Sequence, residues 1–107
     1  MTEKRFNVYV IALDKEVLKE KKFVEANPDH DPEKACFYVG MTGLTPDERF
    51  ENHKKGIKAN TYVQKYGQWL RRRKYERFNP MTYEEAQAKE KELAERFRRK
   101  GHAVWQN

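Results

Sequence analysis

The run from Phe6 to Leu13 most tightly limits what this chain can become. It is apolar and dense in β-branched and aromatic residues, and it lacks the polar alternation of a half-exposed strand. It reads as a strand buried on both faces. The rest of the chain is polar: 37% of its 107 residues are charged. Such a composition favours disorder, but an aromatic content of 13% supplies the large side chains that offset chain entropy. The expectation is one folded, very polar domain over residues 1–107, with a modest core and a single cleft.

Several classes drop out. The longest apolar stretch, Val8 to Leu13, is far short of the roughly 20 residues that span a bilayer. Met1 to Arg5 leads into a strand rather than a signal-peptide core. Cys36 has no partner for an intramolecular disulfide or a multi-cysteine zinc site. A soluble, cytoplasmic protein with no membrane partner is expected.

Along the chain, Asp14 to Ala26 predicts a short helix with Asp14 as its N-cap. The prolines and Asx residues of 27–32 predict a loop, and Cys36 to Met41 a second strand. Thr45-Pro46-Asp47-Glu48 is a capping box with proline in the first turn, so a helix runs from there to Lys55 and stops at Gly56. Asn60 to Tyr66 predicts another short helix, Leu70 to Phe78 a third strand. Thr82-Tyr83-Glu84-Glu85 opens the longest helix, which Gly101 ends.

Charge is unevenly placed. Residues 1–48 hold 7 Lys/Arg against 10 Asp/Glu, and residues 49–107 hold 16 against 7. Cations interleaved with aromatics in the second half suit a nucleic-acid surface, and equally a solvated one. Lys54, Lys58, Lys65 and the run Arg71-Arg72-Arg73-Lys74 are the candidate phosphate contacts. On a strand, Arg71 and Arg73 would face away from Arg72 and Lys74.

Glu90 is the main anomaly. Projected at about 100° per residue, Ala86, Leu93 and Phe97 form the apolar stripe of the last helix, and Glu90 falls inside it. A core-facing carboxylate must be paired, protonated or metal-bound. It is either a metal ligand or acid/base in a cleft, a partner of an arginine, or turned outward by a rotated helix. Arg49 and His53 share a helix face one turn apart, suited to holding a phosphate and moving a proton, or simply exposed. Tyr9 and Tyr38 lie inside the two apolar strands, where a tyrosine is ordinarily core with its hydroxyl tied to a carbonyl. Gly40-Met41-Thr42-Gly43 lacks the ending of a P-loop.

Taken in order, these residues resemble the GIY-YIG nuclease domain. Val8-Tyr9-Val10 stands for the first half-motif and Tyr38-Val39-Gly40, trailed by Met41-Thr42, for the second. Arg49 with His53 matches the helical arginine region, Ala86 through Glu90 the Ala-x-x-x-Glu of the last helix, and Asn107 the late asparagine. Two features depart from the pattern: Asn7 or Val8 replaces the first glycine, and an insertion over about 14–35 separates the half-motifs. That insertion would gate the cleft, recruit a partner, or be a solvated excursion. The resemblance implies an α+β fold with a three-stranded antiparallel sheet flanked by helices. It implies an endonuclease hydrolysing phosphodiester bonds, with DNA the expected nucleic acid. Glu90 would bind Mg²⁺ (or Mn²⁺), Arg49 the phosphate, Tyr9 and Tyr38 would orient or deprotonate the attacking water, and His53 would assist either tyrosine or the phosphate, with Gly40, Thr42 and Asn107 in support. A non-catalytic nucleic-acid-binding or protein-interaction module on the same scaffold is the alternative, and a protein partner or homodimer stays open.

Overall fold

Burial on both faces requires a central strand, and β1 (Asn7–Leu13) is one. In the computed structural model, which describes residues 3–106, β1 pairs antiparallel with β2 (Cys36–Thr42) along its whole length, from Asn7↔Thr42 to Leu13↔Cys36. On its other side it pairs antiparallel with β3 (Gly67–Leu70). β4 (Ala103–Gln106) lies parallel to β2, giving the sheet order β3-β1-β2-β4. Every residue from Val8 to Leu13 is buried.

Helices cover both faces. Between β1 and β2 come a 3-10 turn at Lys15–Lys19, which Asp14 caps, and α1 (Lys21–Glu25). α2 (Pro46–Lys55) and α3 (Thr61–Tyr66) follow β2. These helices take the face of Tyr9, Ile11 and Tyr38: the α2 residue His53 meets both tyrosines, and the α1 residue Phe23 stacks on Trp105 of β4. α4 (Tyr83–Arg99) takes the other face, where Phe97 lies 5.0 Å from Phe37, centroid to centroid. Both predicted capping boxes form, Thr45 with Glu48 and Thr82 with Glu85. Gly56 ends α2 in the left-handed conformation, φ 83°. No described helix is long and apolar enough to cross a membrane.

The α+β expectation holds, with corrections to the sheet. It has four strands and is mixed, because β4 adds a parallel edge that four residues ending in Gln106 gave no period to announce. The third strand is Gly67–Leu70 rather than Leu70–Phe78, and Arg72–Lys74 and Glu76–Phe78 are 3-10 turns. Between Leu70 and Phe78 the only buried side chains are Leu70 and Tyr75, five positions apart and without the two-residue period of a strand. The predicted helix of 14–26 divides in two at Glu20.

The 14–35 segment is packed rather than wholly solvated: Val17, Phe23 and Asn27 are buried. Asn27 completes the outer edge of β4. Its Oδ1 accepts from Val104 N–H at 2.9 Å and its Nδ2 donates to Val104 C=O at 3.0 Å. One amide thus serves both backbone groups that an edge strand leaves open. Asn79 does the same for Val8 of β1, both bonds being 2.9 Å.

Candidate active site

Tyr9 and Gly40 are directly paired across β1 and β2. A Cβ on Gly40 would lie 2.6 Å from both Cζ and Oη of Tyr9 and 3.0 Å from Cε2 of Tyr38. Only glycine lets the Tyr9 ring lie across the β2 backbone. The rings of Tyr9 and Tyr38 are 6.1 Å apart, and His53 is 6.1 Å from the first and 5.5 Å from the second. All three are fully buried or nearly so.

A relay of hydrogen bonds fixes the protons of His53 and Tyr9. Asn60 is the N-cap of α3: its side chain accepts from the backbone N–H groups of Tyr62 and Val63, and its own N–H donates to His53 Nδ1 at 3.0 Å. Nδ1 therefore keeps its lone pair, and a neutral ring carries its proton on Nε2. Burial, aided by the Arg49 cation, pulls His53 down to about 4, so the ring is neutral. Nε2–H then donates to the Tyr9 hydroxyl oxygen, 2.9 Å away. The Tyr9 hydroxyl is tied to an imidazole rather than a carbonyl, and its own hydrogen is directed away from His53. Burial pushes the Tyr9 phenol well above its ordinary value; Tyr38 adds to this and Arg49 opposes it. Tyr38 is pushed up to about 12, first by burial and then by the Glu90 charge, with Tyr9 and Arg49 opposing.

Arg49 sits one turn before His53 on α2. Its guanidinium donates to the carbonyls of Ile57, at 3.2 Å, and Lys58, at 2.9 Å. Those bonds anchor it with two of its five N–H groups and leave three for a ligand.

Glu90 comes from the opposite layer. It is on the α4 stripe with Leu93 and Phe97 and is 5% exposed. Glu90 lines a groove of about 310 Å³ at the rim of the sheet, beside Met41, Thr42, Gly43 and Gln87. Among the described residues, the buried Oε2 finds no hydrogen-bond partner. Burial pushes the carboxyl up to about 7, and the Gln106 side chain opposes. No arginine pairs with it among the described residues. A larger hollow, about 390 Å³ between Asn27, His30, Arg98 and His102, holds none of these side chains.

Two phenols and an imidazole thus gather on one face of the β1–β2 pair, with the Arg49 guanidinium one turn away on α2, and an unpaired carboxyl comes from α4 on the other face. A family model described as the GIY-YIG catalytic domain matches residues 7–103, nearly the whole chain. The chain belongs to the GIY-YIG family. No curated protein and no solved structure matches it.

GIY-YIG membership places the chain in a nuclease family whose enzymes generally depend on a divalent metal. No described group of three or more His, Cys, Asp or Glu residues is arranged to hold an ion. A single carboxylate with an orphaned buried oxygen nevertheless fits Mg²⁺, a hard ion that keeps several waters and needs only one or two protein carboxylates.

The seven candidate phosphate contacts do not form one track. Lys54 Nζ donates to the carbonyls of Gln64 and Gly67, tying α2 to the end of α3. Lys65 pairs with Glu20 and Arg72 with Asp47, while Lys58 and Arg73 are exposed. Arg71 and Lys74 lie over the Phe37 ring. With 72–74 in a 3-10 turn, the alternation expected of a strand does not apply. Thr42 Oγ1 accepts from Leu44 N–H at 3.0 Å and closes the turn into α2. Asn107 lies outside the described residues. Sequence reasoning missed Asn60, whose capping role was legible but whose N–H reaches His53 only through the α2–α3 turn. It also missed Gln106, which sits on the unread strand.

Proposed function

We propose that this GIY-YIG domain is a divalent-metal-dependent endonuclease that hydrolyses phosphodiester bonds of nucleic acid, DNA being the expected substrate. The observation that carries this reading is the buried, unpartnered oxygen of Glu90, whose charge is felt at Tyr38. A carboxyl so placed lowers stability, and a hard cation relieves it. Glu90 would hold Mg²⁺ or Mn²⁺, which when bound supplies positive charge to the crowded phosphate.

The remaining chemistry belongs to the chain. Arg49, anchored through two carbonyls, offers its free N–H groups to a non-bridging phosphate oxygen. His53 Nε2–H occupies one lone pair of the Tyr9 oxygen and leaves the phenol's own hydrogen directed away from the imidazole. At rest Tyr9 is a neutral phenol that orients a water through its remaining lone pair. Loss of its proton is helped by the His53 N–H, which stabilises a phenolate, and by the Arg49 cation. Tyr38 packs beside it and completes a dry wall for the attacking water.

Plasmid nicking with and without Mg²⁺, for wild type and Glu90→Ala, tests the proposal. Metal-dependent nicking that the variant loses while it still retards the plasmid in a gel is the expected result. A wild-type protein that leaves plasmid intact in every divalent metal ends the enzymatic reading, and nicking by the variant ends the role of Glu90.

A further inference from the structure

Ala12 pairs with Trp69 on one side and Phe37 on the other, and Phe37 pairs with Val104. These four side chains form one row across the α4 face of the sheet. Phe37 and Val104 are buried, Phe37 against Phe97 of α4, but Trp69 at the β3 end of the row is 55% exposed. Arg71, two residues on, places its guanidinium 5.4 Å from the centre of the Phe37 ring. Lys74 Nζ lies 5.4 Å from Phe37 and 5.5 Å from Phe97. The His102 ring is 4.7 Å from Phe37, and Lys34 packs along Gly101 just before it. Burial first, and then Arg71 and Lys100, lower the Lys74 ammonium; burial first, and then Lys74, Lys34 and Lys100, lower His102 against the opposing Ala35 carbonyl.

Among the described residues, none of Lys34, Arg71, Lys74 and Lys100 has a carboxylate at ion-pair distance, whereas nearby Lys65 and Arg72 both do. An exposed tryptophan alone is ordinary surface, and exposed cations alone are ordinary solubility. Here a flat indole and a set of mutually repelling, unpaired cations share one sheet face, on the side away from Tyr9 and Tyr38. A polyanion relieves the repulsion, and a polyanion with exposed aromatic faces also uses the indole.

We infer that Trp69 with Arg71, Lys74, Lys34 and Lys100 forms a binding surface for a single-stranded segment of nucleic acid, an unpaired base stacking on the indole while flanking phosphates meet the cations. Duplex bases show edges in their grooves and hide their faces, so a duplex leaves Trp69 without a stacking partner. The inference deepens the proposed function by naming a substrate with unpaired bases, and it rests on that reading only for the choice of polymer.

Fluorescence anisotropy of a short labelled oligothymidylate in EDTA, where no cleavage occurs, tests it. Trp69→Ala should weaken single-strand binding on the order of tenfold, Trp69→Phe should recover most of that, and binding of a duplex of the same length should barely change. Lys74→Glu should weaken binding of both. Unchanged oligothymidylate binding by Trp69→Ala, an equal loss on duplex, or no effect of Lys74→Glu would each overturn the inference. The two readings fail separately. Trp69-dependent binding by a protein that nicks no plasmid removes the nuclease proposal alone, and normal nicking with Trp69-independent binding removes this one alone.

Discussion

Replacing His53 by glutamine separates what the imidazole bonds from what it titrates. In the folded protein His53 is fully buried, accepts the Asn60 N–H and donates to Tyr9. A proton added at Nδ1 would face that N–H and place a charge in the core beside Arg49. The unfolded chain takes up this proton near pH 6.5, the folded one only near 4. Between those values the unfolded state binds more protons, so stability is fully present above about pH 6.5 and is lost as pH falls toward 4. The whole effect is at most about 3 kcal/mol. Glutamine takes up no proton in this range. Its amide can still donate to Tyr9, but it leaves the Asn60 N–H without an acceptor, which costs about 1–3 kcal/mol at pH 8. Wild type should therefore lead His53→Gln by that amount at pH 8, and the lead should shrink through pH 6 and 5 until it vanishes or reverses near pH 4. Urea unfolding of both proteins, followed by far-ultraviolet circular dichroism at each pH, measures it. The carboxylates common to both cancel in the difference. A difference that stays constant, or widens on acidification, would refute the neutral, Asn60-locked tautomer.

Three further perturbations have defined outcomes. Glu90→Gln should abolish nicking and, in metal-free buffer at pH 8, should melt above wild type because an unpaired buried carboxylate is gone; scanning calorimetry reads this, and a lower melting temperature contradicts it. Gly40→Ala should cost about 1–3 kcal/mol and most of the activity, since its methyl meets the buried end of Tyr9 at 2.6 Å; a variant as stable and active as wild type would show that the rings yield freely. Asn27→Leu should lose about 1–3 kcal/mol by leaving Val104 N–H unpaired, with nicking per folded molecule unchanged; unaltered urea unfolding would mean that water replaces the amide.

The chain announces its long-period features and conceals its short ones. β1, β2, α2 and α4 carry apolar runs or capping boxes, and local chemistry fixes them. β3 and β4 have four residues each, too few for a period, and are strands because β1 and β2 offer them edges. The cationic turns after Leu70 read as a strand because Leu70 to Phe78 imperfectly imitates its alternation, although burial there falls only on Leu70 and Tyr75. Asn27 reads as a loop residue in sequence and Asn79 carries no signal there, yet each stands in for a neighbouring strand at a single backbone position. An amide that completes a sheet leaves no periodic signature.

The parts of the candidate site are legible for the same reason and to the same extent. Glu90 violates a helical stripe, so periodicity exposes it; its freedom from an arginine partner depends on the other layers, and only the packed structure supplies that. The two tyrosines are visible as residues but not as a pair, because their approach depends on the missing Cβ of Gly40 directly opposite Tyr9. What sequence could not supply is direction. Tyr9, Tyr38 and His53 occupy one face of the sheet, Glu90 comes from the helix on the other, and the Glu90 charge is felt at Tyr38. If catalysis needs both sets, the reacting phosphate must lie near the rim where β2 runs out through Met41 and Thr42, beside the groove that Glu90 lines. Lengthening that rim by a residue between Thr42 and Thr45 should then separate the two halves of the site, and nicking should fall far more than stability does.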